Sequence, residues 1–323
     1  MQESILARAA RAAVRICLKP ALQPAFSIDT QRIWANLAAR TLGAPFGVRF
    51  ANSRLAGVPV EKVQPKAGRL SSARAVLFLH GGGFVIGSPV SHRSITGRLA
   101  KLACATVYAP DYRLAPEHPF PAALDDAFAC YRALLEQGYA AEHIAVAGDS
   151  AGGGLALSLS LRLGQEGIAR PGCIVLISPW ADLTLSQLAD IPDDALLRAS
   201  WLAHAAAAYL KGRPADSPLV SPLYADLAGL SPVLVQSASE EILRADSRRL
   251  VQALSVARVP VSHREFPHMW HDFQLYAGMV PEATLALEEM ARFITEHLTV
   301  KMRDHAANDV AGALQAGAVQ SGR

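Results

Sequence analysis

One short stretch constrains the fold of this 323-residue chain more than any other. The apolar run Ile144–Ala147 leads directly into Gly148-Asp149-Ser150-Ala151-Gly152, and a leucine-rich segment that we predict to be helical follows from Leu155. A serine at a sharp turn from strand to helix holds a strained backbone, and glycines two residues to either side leave room for the two elements to pass closely. The stretch predicts a nucleophile elbow, whose helix N-terminus attracts anions. The alternative is an ordinary helix start after a glycine-rich turn.

A second motif strengthens this interpretation. The predicted buried strand Ala75–Leu79 runs into His80-Gly81-Gly82-Gly83-Phe84. Three successive glycines let the backbone turn its N–H groups into a cavity, which an oxyanion hole requires. A flexible glycine loop is the alternative, but a His-Gly-Gly-Gly loop upstream of Gly-x-Ser-x-Gly is the lipase and esterase arrangement. We predict that the N–H groups of Gly81, Gly82 and Ala151 form the hole.

The composition excludes several other classes of protein. The net charge of +3 is mild and the basic residues are scattered, so a nucleic-acid partner is not expected. Cys17, Cys104, Cys130 and Cys173 have no metal-type spacing, which predicts buried free thiols in a reducing, cytoplasmic compartment and no metal site. Arginines interrupt the apolar segment Ser4–Leu18, which favours a cap helix over a targeting peptide or a membrane-surface helix. We therefore expect no stable membrane association.

The alternation of apolar runs and helical segments indicates an α/β fold. From about residue 75 the pattern predicts a mostly parallel sheet of about eight strands with helices on both faces, after an antiparallel hairpin from Val48 to Val63. Its active site should lie at the carboxyl ends of the strands. The apolar helix Ala199–Leu210 has no strand partner and is expected to pack on the N-terminal helices as a cap. The predicted divisions are N-terminal cap helices in 1–45, a first part of the core in 46–181, a cap insertion in 182–214, a second part of the core in 215–300, and a flexible tail in 301–323.

A serine nucleophile needs a base, and in this fold the base comes last in the chain. His268 and His271 both follow the predicted strand Val261–Phe266. We favour His271 because it lies deeper in the loop after the strand. A metal pair formed by these two histidines is disfavoured because the pattern places no third ligand.

The orienting acid should lie at a strand end between the serine and the histidine. The predicted strand 232–237 leads to Glu240 and Glu241, whose neighbouring side chains point in different directions. Only one of them can reach the histidine, and we favour Glu241. Glu240 and Asp246 are the alternatives, although Asp246 also fits a helix N-cap.

The segment Tyr112–Asp126 is interpreted as structural. Its prolines stiffen it, and its charged residues Arg113, Glu117, Asp125 and Asp126 can satisfy one another and the loop backbone. We predict a rigid scaffold beneath the oxyanion loop.

Four motifs together resemble the hormone-sensitive-lipase group of α/β-hydrolases, the bacterial esterases. They are His80–Phe84, Asp111–Asp126, Gly148–Gly153 and Ser178–Trp180, and the resemblance runs from about residue 75 to 298. It implies an α/β-hydrolase fold, carboxylesterase activity, a helical cap and no cofactor. It also suggests a homodimer with the strand near residues 261–266 and the last helix as edge elements.

The resemblance also bears on the site residues. It implies that His271, in Met269–Phe273, occupies the family's histidine position. It places the acid at Glu241, where the family more often has aspartate, and glutamate is one of the acids that such triads use. We therefore predict a serine carboxylesterase that hydrolyses short- to medium-chain acyl esters through a Ser150–His271–Glu241 triad and an acyl-enzyme.

Four aromatic residues bear on the substrate. Phe84, Trp180, Trp201 and Trp270 could line a compact apolar pocket, with ordinary core packing as the alternative for each. Such a pocket favours small to medium acyl esters or lactones. A lactone or amide hydrolase with the same triad is the second prediction. A non-catalytic ligand receptor on this fold is the third, and His271 argues against it.

Overall fold

The computed structural model describes residues 3–66, 73–188 and 194–298, and within them the chain forms an eight-stranded sheet. The strands are β1 (Val48–Leu55), β2 (Val58–Pro65), β3 (Ala75–Leu79), β4 (Thr106–Pro110), β5 (Ile144–Asp149), β6 (Cys173–Ile177), β7 (Val233–Ala238) and β8 (Val261–Phe266). Their order in the sheet is β1-β2-β4-β3-β5-β6-β7-β8. The pairs β1–β2 and β2–β4 are antiparallel, and every later pair is parallel.

Helices cover both faces of the sheet. They are α1 (Ile5–Ala13), α2 (Ile28–Ala39), α3 (Arg93–Leu102), α4 (Ala122–Glu136), α5 (Ser150–Gln165), α6 (Ala199–Leu210), α7 (Arg244–Val256) and α8 (Pro281–His297). The central strand β3 buries Val76 and Phe78 in a cluster with α3 and α8, and Leu77 and Leu79 in a second cluster with α4, α5 and α7. Strands that are apolar on both faces need this double cover. The predicted fold class is confirmed.

The starts of three helices are well defined. Ser27 caps α2, because its hydroxyl accepts a hydrogen bond from the Thr30 N–H at 3.2 Å. Helix α5 begins at Ser150 itself, so the serine belongs to the first helical turn. Helix α7 begins at Arg244, which leaves Asp246 inside the first turn and not at the cap.

The two ends of the predicted cap meet over the sheet. Helix α1 continues as a π-helical turn, Val14–Leu18, before α2. The Trp201 indole N–H of α6 donates a 2.6 Å hydrogen bond to the Gln31 side-chain oxygen of α2. The Lys19 ammonium also donates a hydrogen bond to the Asp194 carbonyl oxygen. The tail predicted for residues 301–323 lies outside the described residues.

The four thiols do not share one environment. Cys130 and Cys173 are buried and Cys104 is partly buried, but Cys17 is exposed, so the prediction of burial is wrong for Cys17. Its position on the outward side of the π-helical turn explains the difference. The cytoplasmic compartment stays a prediction. In the described ranges, no helix combines the length and the apolar character that a membrane span needs.

Candidate active site

The turn between β5 and α5 is sharp and leaves no room for side chains at its glycines. Ser150 has φ +51°, in the left-handed region that serine rarely adopts. A Cβ on Gly148 would lie 2.3 Å from the Gly152 oxygen, and one on Gly152 would lie 2.0 Å from the Leu79 oxygen. The glycines therefore let the strand and the helix approach closely enough to present the serine at the carboxyl end of the sheet.

His271 connects the serine to a carboxylate. Its Nε2 lies 2.9 Å from the Ser150 Oγ, and its Nδ1 lies 2.9 Å from the Glu241 Oε2. The other carboxylate oxygen, Glu241 Oε1, accepts a 2.9 Å hydrogen bond from the Ala238 N–H at the end of β7. All three side chains are buried, with 5% or less of each residue exposed. With its Nδ1–H donated to Glu241, the imidazole presents the Nε2 lone pair to the serine hydroxyl.

Two carboxylates set the charge of this histidine. Burial opposes the imidazolium form, but Asp272 and Glu241 outweigh burial and raise the pKa of His271 well above its ordinary value. The Asp272 Oδ2 lies 3.1 Å from the His271 Nε2. Burial raises the pKa of Asp272 to about 6, against the opposing effect of the imidazolium. The two carboxylates therefore favour the imidazolium form of His271.

The alternative acids and the alternative base lie elsewhere. Glu240 forms an ion pair with Arg11 of α1 and lies 3.5 Å from the His268 Nδ1. The His268 side chain is 56% exposed. Asp246 lies near Asp182, and burial together with that neighbouring charge raises its pKa to about 7. None of these side chains joins the hydrogen-bonded chain through His271.

The structure of the oxyanion loop differs from the prediction for one donor of the hole. The Gly81 N–H donates a 3.0 Å hydrogen bond to the Asp149 Oδ1, so the prediction that it is free for an oxyanion is wrong. In the described part of the chain, the N–H groups of Gly82 and Gly83 donate to no protein acceptor. Ala151, in the first turn of α5, likewise has no helical partner for its N–H. The free donors are therefore those of Gly82, Gly83 and Ala151.

Asp149 and His92 form a buried pair, with the His80 ring stacked on His92, that the sequence interpretation missed. The Asp149 Oδ2 lies 3.0 Å from the His92 Nε2, so this carboxylate joins the serine turn to both the oxyanion loop and the segment before α3. Burial opposes the charged form of His92, but Asp149 raises its pKa. Burial lowers the pKa of His80 to about 3. Within the described residues, no group of three His, Cys, Asp or Glu side chains is arranged to hold a metal ion. The sequence contained one signal for this pair, since Asp149 is an aspartate at the end of the apolar strand β5.

The scaffold segment supports the oxyanion loop from below. The Tyr112 hydroxyl donates a 2.6 Å hydrogen bond to the His80 carbonyl oxygen, and the two rings stack 4.2 Å apart. Arg113 pairs with Asp126 at 2.8 Å, as the segment's composition predicts. Glu117 instead pairs with Arg32 of α2 at 2.8 Å, and Asp125 pairs with Arg162 of α5. The segment therefore also fastens the N-terminal helices to the core.

A cavity of about 130 Å³ opens beside the serine and the histidine. Trp201 and Trp270 line it, together with apolar residues between Val14 and Leu42. Phe84 and Trp180 are not among its lining residues, so the prediction that they form the pocket is wrong for both. The Phe84 ring stacks 3.8 Å from Tyr209, and Trp180 is fully buried in the same core. The loop after β3 and the segment after β6 turn these rings into the protein.

Comparisons with known proteins agree with this geometry. A family model described as alpha/beta hydrolase fold matches residues 76–275. An acetyl-hydrolase of Streptomyces hygroscopicus is 43% identical over 68% of this chain and 75% of that protein. An esterase of Acinetobacter venetianus is 42% identical over 77% of this chain and 82% of that protein.

Comparison with solved structures narrows the family assignment. The crystal structure of an esterase from the bacterial hormone-sensitive lipase family has a TM-score of 0.87 and 33% identity, covering 93% of this chain and 100% of that one. The motifs, the sheet order and these relatives all indicate the same family. The chain therefore belongs to the alpha/beta hydrolase fold family, and it is a carboxylic ester hydrolase of the hormone-sensitive-lipase group.

Proposed function

We propose that the protein is a serine carboxylesterase that hydrolyses short- to medium-chain acyl esters through Ser150, His271 and Glu241. The observation that carries the proposal is the position of His271, whose two ring nitrogens lie 2.9 Å from a serine hydroxyl and from a buried carboxylate. A buried histidine held in this way can accept the serine proton, and the carboxylate stabilises the imidazolium that results.

The reaction would proceed in two steps. The Ser150 Oγ attacks the ester carbonyl carbon while His271 accepts its proton, and the N–H groups of Gly82, Gly83 and Ala151 stabilise the oxyanion. His271 then protonates the leaving alcohol, which departs and leaves an acyl-enzyme. Water, activated by the same histidine, releases the acid and restores the serine.

The cavity supports small substrates. Its volume of about 130 Å³ is close to that of engineered apolar cavities, about 150 Å³, which hold a benzene molecule. A mostly apolar wall favours uncharged acyl chains over charged ones. The name of the Streptomyces relative, an acetyl-hydrolase, agrees with a short acyl group. Acetyl to butyryl esters are therefore the expected range, and a palmitoyl chain exceeds the enclosed space.

The test is the initial rate of the purified protein on p-nitrophenyl esters from acetyl to palmitoyl. We expect the highest kcat/KM on the short chains and no turnover above background for Ser150→Ala. Circular dichroism of the variant should match the parent, because the hydroxyl is the only group lost. Turnover by a folded Ser150→Ala protein would overturn the proposal. Activity confined to lactones or amides would redirect it to the alternative hydrolases.

The exposed edge of the sheet favours self-association. Among the described residues, strand β8 pairs only with β7, and Ser262, His263 and Arg264 on it are exposed. An unpaired edge strand can add a strand from a second copy. We therefore propose a homodimer, which light scattering of the purified protein would test by its mass.

A further inference from the structure

A second carboxylate lies beside the proposed base and has no part in the triad. The Asp272 Oδ2 lies 3.1 Å from the His271 Nε2, the same nitrogen that lies 2.9 Å from the Ser150 Oγ. Asp272 is 6% exposed and lines the cavity. Its φ of +55° places its backbone in the left-handed region.

One oxygen of this carboxylate lacks a partner. Within the described residues, Asp272 Oδ1 is buried and accepts no hydrogen bond from the protein. A buried, unpaired carboxylate oxygen is unfavourable, and native proteins seldom retain one without a role. Because Asp272 lines the cavity, the missing partner is most simply a group that arrives with the reaction.

The charge of Asp272 restricts what that partner can be. The oxyanion is excluded, because a carboxylate repels a developing negative charge and the free N–H groups lie on the glycine loop. Orientation of the imidazole is already provided by Glu241 through Nδ1. A carboxylate next to Nε2 can, however, accept a hydrogen bond from a water molecule that is itself bound to Nε2.

We infer that Asp272 binds and orients the water that hydrolyses the acyl-enzyme, an inference that rests on the proposed Ser150 nucleophile. In the acyl-enzyme the Ser150 Oγ carries the acyl group and has no hydrogen to donate. The His271 Nε2 then accepts a hydrogen bond from one O–H of the water, and the Asp272 carboxylate accepts a hydrogen bond from the other. This arrangement directs a lone pair of the water oxygen at the acyl carbonyl carbon.

The protons balance without any change at Asp272. The water oxygen bonds to the carbonyl carbon while one water proton passes to the His271 Nε2. When the bond between carbon and the Ser150 Oγ breaks, His271 returns that proton to Oγ. The acid leaves with the second water hydrogen on its new hydroxyl, and the Asp272 carboxylate is free again.

The same arrangement discriminates between water and alcohols. Methanol has a single O–H hydrogen, which it must donate to Nε2 in order to attack. Its methyl group would then face the Asp272 carboxylate without a hydrogen bond. Asp272 should therefore favour hydrolysis over acyl transfer to an alcohol, although both nucleophiles use the same base.

The first experiment compares the parent with Asp272→Ala and Asp272→Asn on p-nitrophenyl acetate. Active sites are counted by labelling Ser150 with a fluorophosphonate, so that unfolded protein does not enter the rates. Each enzyme is measured at the pH of its highest kcat/KM. For Asp272→Ala we expect kcat to fall about 10- to 100-fold, the loss of one hydrogen bond to a charged group, and KM to fall by a smaller factor.

The kinetic pattern separates this role from a structural one. Because kcat/KM reports acylation, which loses the Asp272 charge beside the imidazolium but not the bound water, it should fall less than kcat, and a burst of one p-nitrophenol per labelled site should precede the slow steady state. Asp272→Asn keeps an acceptor oxygen without the charge and should be intermediate. A fall in kcat/KM as large as the fall in kcat, with no burst, would overturn the inference.

The second experiment adds methanol and measures the ratio of methyl acetate to acetate. The ratio should rise in Asp272→Ala relative to the parent, since only the water loses a partner. An unchanged ratio would overturn the inference for Asp272 while leaving the triad intact. A parent enzyme that neither labels at Ser150 nor forms an acyl-enzyme would instead overturn the proposed function.

Discussion

The Trp201 indole N–H donates a 2.6 Å hydrogen bond to the Gln31 side-chain oxygen, and both residues are almost completely buried. This bond joins the insertion helix α6 to the N-terminal helix α2, segments separated by most of the core in sequence. The Gln31 amide N–H₂ also donates to the Phe26 carbonyl oxygen at 2.9 Å. The glutamine therefore holds both parts of the cap beside the cavity that Trp201 lines.

Replacing the indole tests this connection. Trp201→Phe keeps an aromatic ring but removes the donor and leaves the Gln31 oxygen unpaired, which costs about 1–3 kcal/mol of unfolding free energy. We expect a lower thermal midpoint and a several-fold higher KM for p-nitrophenyl butyrate, with a smaller change in kcat. Differential scanning fluorimetry and steady-state kinetics measure both. An unchanged KM would show that the bond contributes to folding alone.

The identity of the acid is tested by two neighbouring glutamates. Glu241→Gln keeps the shape of the side chain but removes the charge that stabilises the His271 imidazolium, and we expect kcat to fall on the order of 10²- to 10⁴-fold. Glu240→Gln is the matched control, because Glu240 pairs with Arg11 and does not contact His271. Its kcat should change by about twofold or less, as for other partly exposed ion pairs. Equal losses in the two variants would contradict the assignment.

The pH dependence of kcat/KM follows from the charge at His271. Only the neutral imidazole can accept the serine proton, and Asp272 and Glu241 hold the pKa of His271 above its ordinary value. The activity should therefore be low below that raised pKa and increase as the pH rises through it. Asp149 and His92 are the other charged groups facing this cluster.

Removing one carboxylate shifts this profile in a definite direction. Asp272→Asn deletes a negative charge that stabilises the imidazolium, so the pKa of His271 falls and the acid limb of kcat/KM moves to lower pH. The profile is measured from pH 4 to 10 in buffers of constant ionic strength, on the order of 0.1 M. An acid limb that stays at the same pH would show that Asp272 does not stabilise the imidazolium form of His271.

The Tyr112 hydroxyl offers a test of the scaffold beneath the oxyanion loop. Tyr112→Phe leaves the buried His80 carbonyl oxygen without its 2.6 Å hydrogen bond, which costs about 1–3 kcal/mol. We expect a lower thermal midpoint and a reduced kcat, because the loop that carries the free N–H groups is less firmly held. Tyr139→Phe is the control, since, among the described residues, that hydroxyl has a hydrogen bond only with the Tyr108 hydroxyl, at 3.3 Å. A kcat as low in the control would contradict the role of the scaffold.

Features that depend on local chain geometry could be predicted from the sequence. The turn at Ser150 was predictable because one clash that glycine avoids, between a Cβ on Gly148 and the Gly152 oxygen, lies within four residues. The α/β fold followed from apolar runs at strand length, and the structure confirms it.

Features that depend on distant segments could not be predicted. The Gly81 N–H is occupied by Asp149, a residue 68 positions away that only the folded sheet brings near. Which aromatic rings face the cavity depends on how each loop leaves its strand, so Trp201 and Trp270 line the cavity while Phe84 and Trp180 pack in the core. Composition alone cannot distinguish these orientations.

One wall of the cavity is formed by Val14, Leu18, Trp34 and Leu42. It therefore comes from a different segment of the chain than the proposed catalytic residues. None of these residues belongs to the matched family region, which begins at residue 76. Exchange of residues 1–45 for those of a relative is expected to reshape the cavity while Ser150, His271 and Glu241 stay unchanged. A change of substrate range can therefore arise by recombination within this segment of the chain, with the proposed triad inherited unchanged.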